Sequence, residues 1–239
     1  MFMAYAASLR SGEAAQARIS SLQVLRRATD PAFIASILDI WANYWLSPQR
    51  VTDARALGRV APGQAQKLAY ASFLSRVGDP AGAIALVGSS ATLPVSADNV
   101  QSNAVLAEAL AADGKISAAA PLFDAVLSYD SGNPTALRGR AELRLRTGRA
   151  RDALPDAQKL VSVLPQAARD RLLLARCYAA TGNHALSERT LWDGFHEIPV
   201  NDLLFTALKA SKHGNPEAIA SLSEEYNQQR NAELYRGLL

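Results

Sequence analysis

The feature that most constrains this chain is the spacing of its glycines. Gly114, Gly148 and Gly182 stand 34 residues apart, Gly78 lies 36 before Gly114, and Gly214 lies 32 after Gly182. Extended backward, the register passes Leu46, where Ser47-Pro48 supplies a turn, and reaches Gly12. Small residues keep the same register. Ala71, Ala107, Ala141, Ala175 and Ala207 stand seven before the reference position, and Ala17, Ala83, Ala119, Ala153 and Ser187 stand five after it. A period of this length marks stacked supersecondary units, none of which can bury its apolar face alone.

The clearest copy, Ala168 to Pro199, shows what the unit is. Leu173, Leu174, Ala175 and Tyr178 fall at helical spacing, Gly182-Asn183 interrupts them, and Leu186, Leu191 and Phe195 resume before Pro199. The unit is a helical hairpin. Two antiparallel helices approach closely only where side chains are small, which accounts for an alanine in each helix at a fixed distance from the turn. Leu106, Phe123, Leu174 and Leu191 fill the spaces beside those crossings. Pro165 and Pro199, seventeen after their glycines, end their units. Pro48, Pro80 and Pro216 occupy the first turn of a second helix, where proline has no hydrogen bond to lose. Pro121 and Pro155 lie deeper and predict a bend or a late helix start. The polar stretch from Gly88 to Pro94 takes up the longer interval and is predicted to be a loosened joint.

This combination of glycine, paired small residues and terminal proline resembles the tetratricopeptide repeat. The resemblance implies an all-α solenoid of about seven hairpins, wound as a right-handed superhelix and forming one domain over 1–239. Within it, 1–63 would be degenerate hairpins, 64–215 well-matched repeats and 216–239 a capping helix. It further implies that the first helix of each hairpin lines a concave groove that binds peptides or other proteins, and it implies no catalysis. Carried onto this sequence by spacing from the glycine, the groove positions are Arg138, Glu142, Leu145 and Arg146 in one unit and Arg169, Leu172, Arg176 and Ala179 in the next. The unit before contributes Gln101, Ala104, Glu108 and Ala111. Members that grip a chaperone's terminal carboxylate use Lys and Asn at positions held here by Ala104 and Glu108, and again by Arg138 and Glu142. That clamp is absent, which argues against a co-chaperone role.

The net charge is only +3, but it is unevenly spread. From Ala136 to Arg176 ten basic residues face four acidic ones, whereas residues 177–239 carry five against eight and the first 135 balance at ten each. A partner with acidic character facing Arg138, Arg146, Arg169 and Arg176 is the expectation. Arg140 and Arg144, four apart on one helix face, repel each other and do not serve to stabilise that helix. RNA is disfavoured, because single-strand binding adds stacking aromatics among the basic residues and none occurs from Ala136 to Arg176.

The two ends carry further expectations. Only eleven residues precede Gly12, so the first unit lacks a full first helix and the chain starts inside a repeat, either as a fragment or with a truncated cap. Pro216 to Leu239 reads as a capping helix with Ile219, Leu222 and Tyr226 facing inward and Leu234, Tyr235, Leu238 and Leu239 folding back. In the second unit Trp41, Tyr44 and Trp45, with Ile34, Ile37 and Leu38, recur as an apolar helix face destined for the core, although Asp39 stands where a small residue is expected.

Chemistry is not evident. His184, His196 and His213 are scattered, there is no HExxH or CxxC, and the single cysteine, Cys177, sits beside Ala175 and Tyr178 as a small buried thiol. Phosphate loops and a nucleophile elbow are missing. No metal, cofactor, small-molecule substrate or enzyme activity is therefore expected. No stretch approaches the roughly 20 apolar residues of a membrane span. The compartment is open: cytoplasmic by default, or periplasmic if an upstream signal or anchor exists. The alanine- and arginine-rich composition suits a GC-rich bacterial genome. A non-enzymatic adaptor is the leading reading, and an assembly subunit of a bacterial envelope system (pilus, secretion or polysaccharide export) is the second.

Overall fold

A computed structural model describes residues 14–44, 47–198, 201–212 and 215–236. Thirteen α-helices occur among them: α1 (Ala14–Arg27), α2 (Pro31–Tyr44), α3 (Gln49–Val60), α4 (Gln64–Arg76), α5 (Pro80–Val87), α6 (Val100–Ala112), α7 (Ile116–Tyr129), α8 (Pro134–Arg146), α9 (Ala150–Val163), α10 (Ala168–Ala180), α11 (His184–Glu197), α12 (Asp202–Ser211) and α13 (Pro216–Arg236). No strand accompanies them among the described residues. The chain divides into two compact units, Met1–Ser131 and Gly132–Leu239. The expected turn at Gly12, the partner Trp45, the stops at Pro199 and Gly214, His213 and the terminal Leu238-Leu239 lie outside the described residues.

The period is a period of helix ends. Gly78, Gly114, Gly148 and Gly182 all have φ between 74° and 90°, and a Cβ on any of them would meet nothing within 4 Å. Glycine is required there by backbone conformation alone, since an L side chain in the left-handed region clashes with its own carbonyl. Each glycine reverses the chain so that the following N–H turns back onto the helix. Asp79 donates to the Leu74 carbonyl at 2.8 Å, Lys115 to Leu110 at 2.9 Å, Arg149 to Arg144 at 2.8 Å and Asn183 to Tyr178 at 2.8 Å. This six-to-one bond satisfies a carbonyl the helix end would otherwise leave unpaired.

In the first unit α4 packs on α5 and α6 on α7 as hairpins; α4 also packs on α2, α3 and α6. The alanine columns fall where the helices cross: Ala71, Ala83, Ala107 and Ala119 are fully buried. Trp41 is likewise fully buried, edge-to-face with Phe73 at 6.3 Å, so it belongs to the core with Ile34, Leu38 and Leu74. Asp39 does not enter a crossing. It is half exposed and meets Arg76 of α4 at 2.6 Å.

The connection between α5 and α6 is pinned rather than loose. Asn99 donates to the Thr92 and Pro94 carbonyls at 3.1 Å, Asn103 donates to Thr92 O at 2.9 Å, and Gln64 reaches Ser90 Oγ at 2.6 Å. The stretch is polar because its side chains supply the hydrogen bonds that no helix provides there.

In the second unit α8 packs on α9 and α10 on α11, with α10 also against α8, α9 and α12, and α13 against α12. Ala141, Ala153 and Ala175 occupy the crossings. α7 and α9 start on register and run through Pro121 and Pro155, so neither helix starts late. In the last helix Leu222 and Tyr226 face inward and are buried, and Tyr226 stacks on Phe205 at 4.3 Å.

Candidate functional site

The predicted groove residues of the second unit lie on α8 and α10, the first helices of successive hairpins, and Arg138, Glu142 and Arg169 among them are held in ion pairs across the two helices. Arg138 grips Asp170 with two parallel bonds, Nε to Oδ1 at 2.6 Å and Nη2 to Oδ2 at 2.8 Å. The carboxylate is fully buried while 18% of the arginine side chain remains exposed. A second link crosses the same helix pair, Arg169 Nη2 to Glu142 Oε1 at 3.0 Å, and this one is open to solvent on both sides. Asp170 falls in the first turn of α10, where a helix N-terminus also favours negative charge.

Arg140, Arg144 and Arg171 of the basic segment are also engaged. Arg140 forks onto Asp156 at 2.9 and 2.7 Å, and Arg144 reaches the same carboxylate at 2.8 Å and the Asp152 carbonyl at 3.0 Å. Asp156 is nearly buried on α9, so the two arginines converge to bind the hairpin's second helix to its first. Their spacing, repulsive on an isolated helix, is explained by that shared acceptor. Arg171 donates to the Pro165 carbonyl at 2.9 Å and to Glu197 of α11. The local excess of positive charge is thus largely consumed inside the fold.

What stays open on the face shared by α8 and α10 is smaller. Arg146 and Arg176 are exposed, Leu145, Leu172 and Ala179 are half-buried between them in sequence register, and Arg176 has no ion pair or hydrogen bond to a described residue. In the first unit Glu108 accepts from Ser72 Oγ at 3.0 Å, Ala104 and Ala111 are buried, and Gln101 is exposed. Three neighbouring pairs of first helices within a unit, α2 with α4, α4 with α6 and α8 with α10, are therefore tied by a polar link.

Sequence reasoning found the arginines but missed their acceptors, Asp156 and Asp170. A signal existed for Asp170, the single acid of the arginine-rich helix α10. Cys177 is fully buried, and burial pushes its thiol up to about 11, with Arg176 opposing and Asp156 reinforcing the shift. His196 stacks on Trp192 at 5.5 Å and meets Glu225 of α13 at 2.9 Å; it fastens the last helix. Among the described residues no group of three His, Cys, Asp or Glu could hold a metal, and no helix is long and apolar enough to cross a membrane.

Glycine-capped hairpins with alanine crossings and tied first helices define a helical-repeat scaffold. A family model described as "Tetratricopeptide repeat" matches residues 110–171. Among solved structures the chain is similar to MamA 41-end from Desulfovibrio magneticus RS-1, at 18% identity and a TM-score of 0.51, covering 77% of this chain and 97% of that one. It is also similar to a MamA RS-1 double mutant, at 17% identity and a TM-score of 0.52, covering 76% and 97%. A third similar structure is PilW, described as a widely conserved type IV pilus biogenesis factor, at 19% identity and a TM-score of 0.51, covering 86% and 96%. No curated protein matches. Residues 110–171 thus match the tetratricopeptide repeat, and the similar structures share the helical-repeat fold of this chain.

Proposed function

We propose that this chain is a non-enzymatic adaptor that binds a segment of a partner protein along α8 and α10, at Leu145, Arg146, Leu172 and Arg176. The observation that carries this reading is the division of labour among the arginines. Arg138 and Arg169 are held by Asp170 and Glu142 and set the spacing of the two helices, whereas Arg176 is exposed with no partner among the described residues. Half-buried leucines beside exposed guanidiniums suit a peptide that offers carboxylates along with apolar contacts. Arg138 and Arg169 then act by positioning, and an acidic partner is read by Arg146 and Arg176.

The test compares wild type with an Arg146→Glu/Arg176→Glu variant in pull-downs from the source organism, followed by calorimetry with the partner recovered. The variant is expected to retain its helicity and lose at least tenfold in affinity. Equal affinity rejects the assignment.

A second reading is favoured by the similarity to PilW, which spans most of both chains. On it, the partner is a component of an envelope-spanning assembly. Recovery of such a component with the wild type, and its loss with the charge-reversed variant, supports that version over a cytoplasmic adaptor.

A further inference from the structure

The first unit carries a preformed pocket away from the face described above. It lies where two successive junctions between hairpins meet, bounded by the ends of α1 and α3 and the starts of α2 and α4, with a volume of about 80 Å³. Leu25, Ile34, Leu57, Val60 and Tyr70 form its apolar wall and Arg26 its rim. Gln66 makes the site rigid. Its amide donates to the Thr29 carbonyl at 3.0 Å, and its oxygen accepts from the Gly63 N–H at 2.8 Å, so one buried side chain fastens both junctions. Val60 is 76% exposed, and the phenol of Tyr70, itself 2% exposed, has no hydrogen-bond partner among the described residues.

The charge around the pocket is one-sided. Between Ala14 and Asp79 there are four acidic residues, and three are committed: Asp39 to Arg76, Asp53 to Arg18 and Asp79 to Arg55. The fourth, Asp30, caps the start of α2 by accepting from the Ala32 N–H at 2.9 Å. Arg26, at the rim, and Arg27 and Arg59, which adjoin the lining residues Ala28 and Val60 in sequence, are exposed and have no ion pair with a described residue. Helix dipoles do not offset them, because the two C-terminal ends at the pocket are matched by two N-terminal starts, each worth about half a charge of opposite sign.

We propose that this pocket docks an acidic peptide segment of a partner protein, which inserts one aliphatic side chain while its neighbouring carboxylates meet Arg26, Arg27 and Arg59. The volume decides the anchor: a cavity of about 150 Å³ accepts benzene, so about half of that accepts a valine- to leucine-sized group. A concave, single-side-chain site with guanidinium neighbours favours a peptide over a bilayer surface, which rewards a flat apolar face.

The test is an NMR titration of the full chain with the peptide Glu-Glu-Leu-Glu-Glu. Saturable shifts are expected at the Leu57 and Val60 methyls. Changing the central Leu to Gly weakens binding at least tenfold, and Lys-Lys-Leu-Lys-Lys does not bind. Arg26→Glu/Arg59→Glu weakens binding at least fivefold, Val60→Asp abolishes it without loss of helicity, and Arg146→Glu/Arg176→Glu leaves it unchanged, which separates this site from the α8/α10 face. Four results overturn the proposal: no shift up to millimolar peptide, equal binding of the Leu and Gly peptides, nuclear Overhauser contacts from residues 1–13 to the Val60 methyls in the absence of peptide, or sedimentation of the chain with phosphatidylcholine/phosphatidylglycerol vesicles that the peptide does not reverse.

Discussion

Removing Arg138 should cost this fold more than removing the acid it binds. In Arg138→Ala the Asp170 carboxylate, fully buried, loses both of its guanidinium bonds at once. Breaking a buried pair from one side costs about 3–5 kcal/mol, and the position of Asp170 in the first turn of α10 returns up to about 1 kcal/mol of that. A net loss of about 2–5 kcal/mol follows. In Asp170→Ala the Arg138 guanidinium, 18% exposed on a flexible stem, can turn toward water. Its loss is about 1–2 kcal/mol, nearer that of a hydrogen bond to a charged group. The double variant should cost clearly less than the two single costs together, with a coupling of at least about 1.5 kcal/mol. Urea denaturation followed by circular dichroism at 222 nm measures all three. An Arg138→Ala cost at or below that of Asp170→Ala, or additive single effects, refutes the view that this pair is a structural clasp. It would then return Arg138 to the binding face.

Three further outcomes rest on the glycines and the buried thiol. Gly148→Ala should destabilise by about 1 kcal/mol, the strain of a left-handed L residue, because φ is 74° and nothing obstructs the new methyl. Gly194→Ala should cost more, since its Cβ would lie 2.8 Å from Arg171 Cδ and 3.1 Å from Leu204, forcing both aside; thermal unfolding of the two variants ranks them, and the reverse order refutes the argument. Cys177 should react with a disulfide reagent at pH 8 at least about 100-fold more slowly in the folded than in the unfolded protein, because burial raises its pKa to about 11 and thiolate is the reactive species. By the same shift its contribution to stability is complete below the unfolded thiol's value near 8.5 and is lost as pH rises toward 11. Equal rates refute the burial.

Much of the fold was legible in the sequence, and the reason is local. A left-handed helix cap needs glycine whatever surrounds it, so Gly78, Gly114, Gly148 and Gly182 marked the hairpin turns without reference to any tertiary contact. The alanine columns were legible because a helix crossing leaves room for nothing larger, and Ala71, Ala107, Ala141 and Ala175 are all buried there. Leu222 and Tyr226 were legible as inward-facing through helical spacing alone. The tertiary structure decided where the charges go. Arg138 and Asp170 are 32 residues apart and Arg140 and Asp156 are 16 apart, and pairing over such separations depends on which helix faces come together. An arginine count therefore overstated the free charge between Ala136 and Arg176. In the first 135 residues an equal count of acids and bases concealed three arginines, one of them at a pocket rim, that have no ion pair with a described residue. Composition counts charges, but only packing determines which of them meet an opposite charge and which are left for a partner.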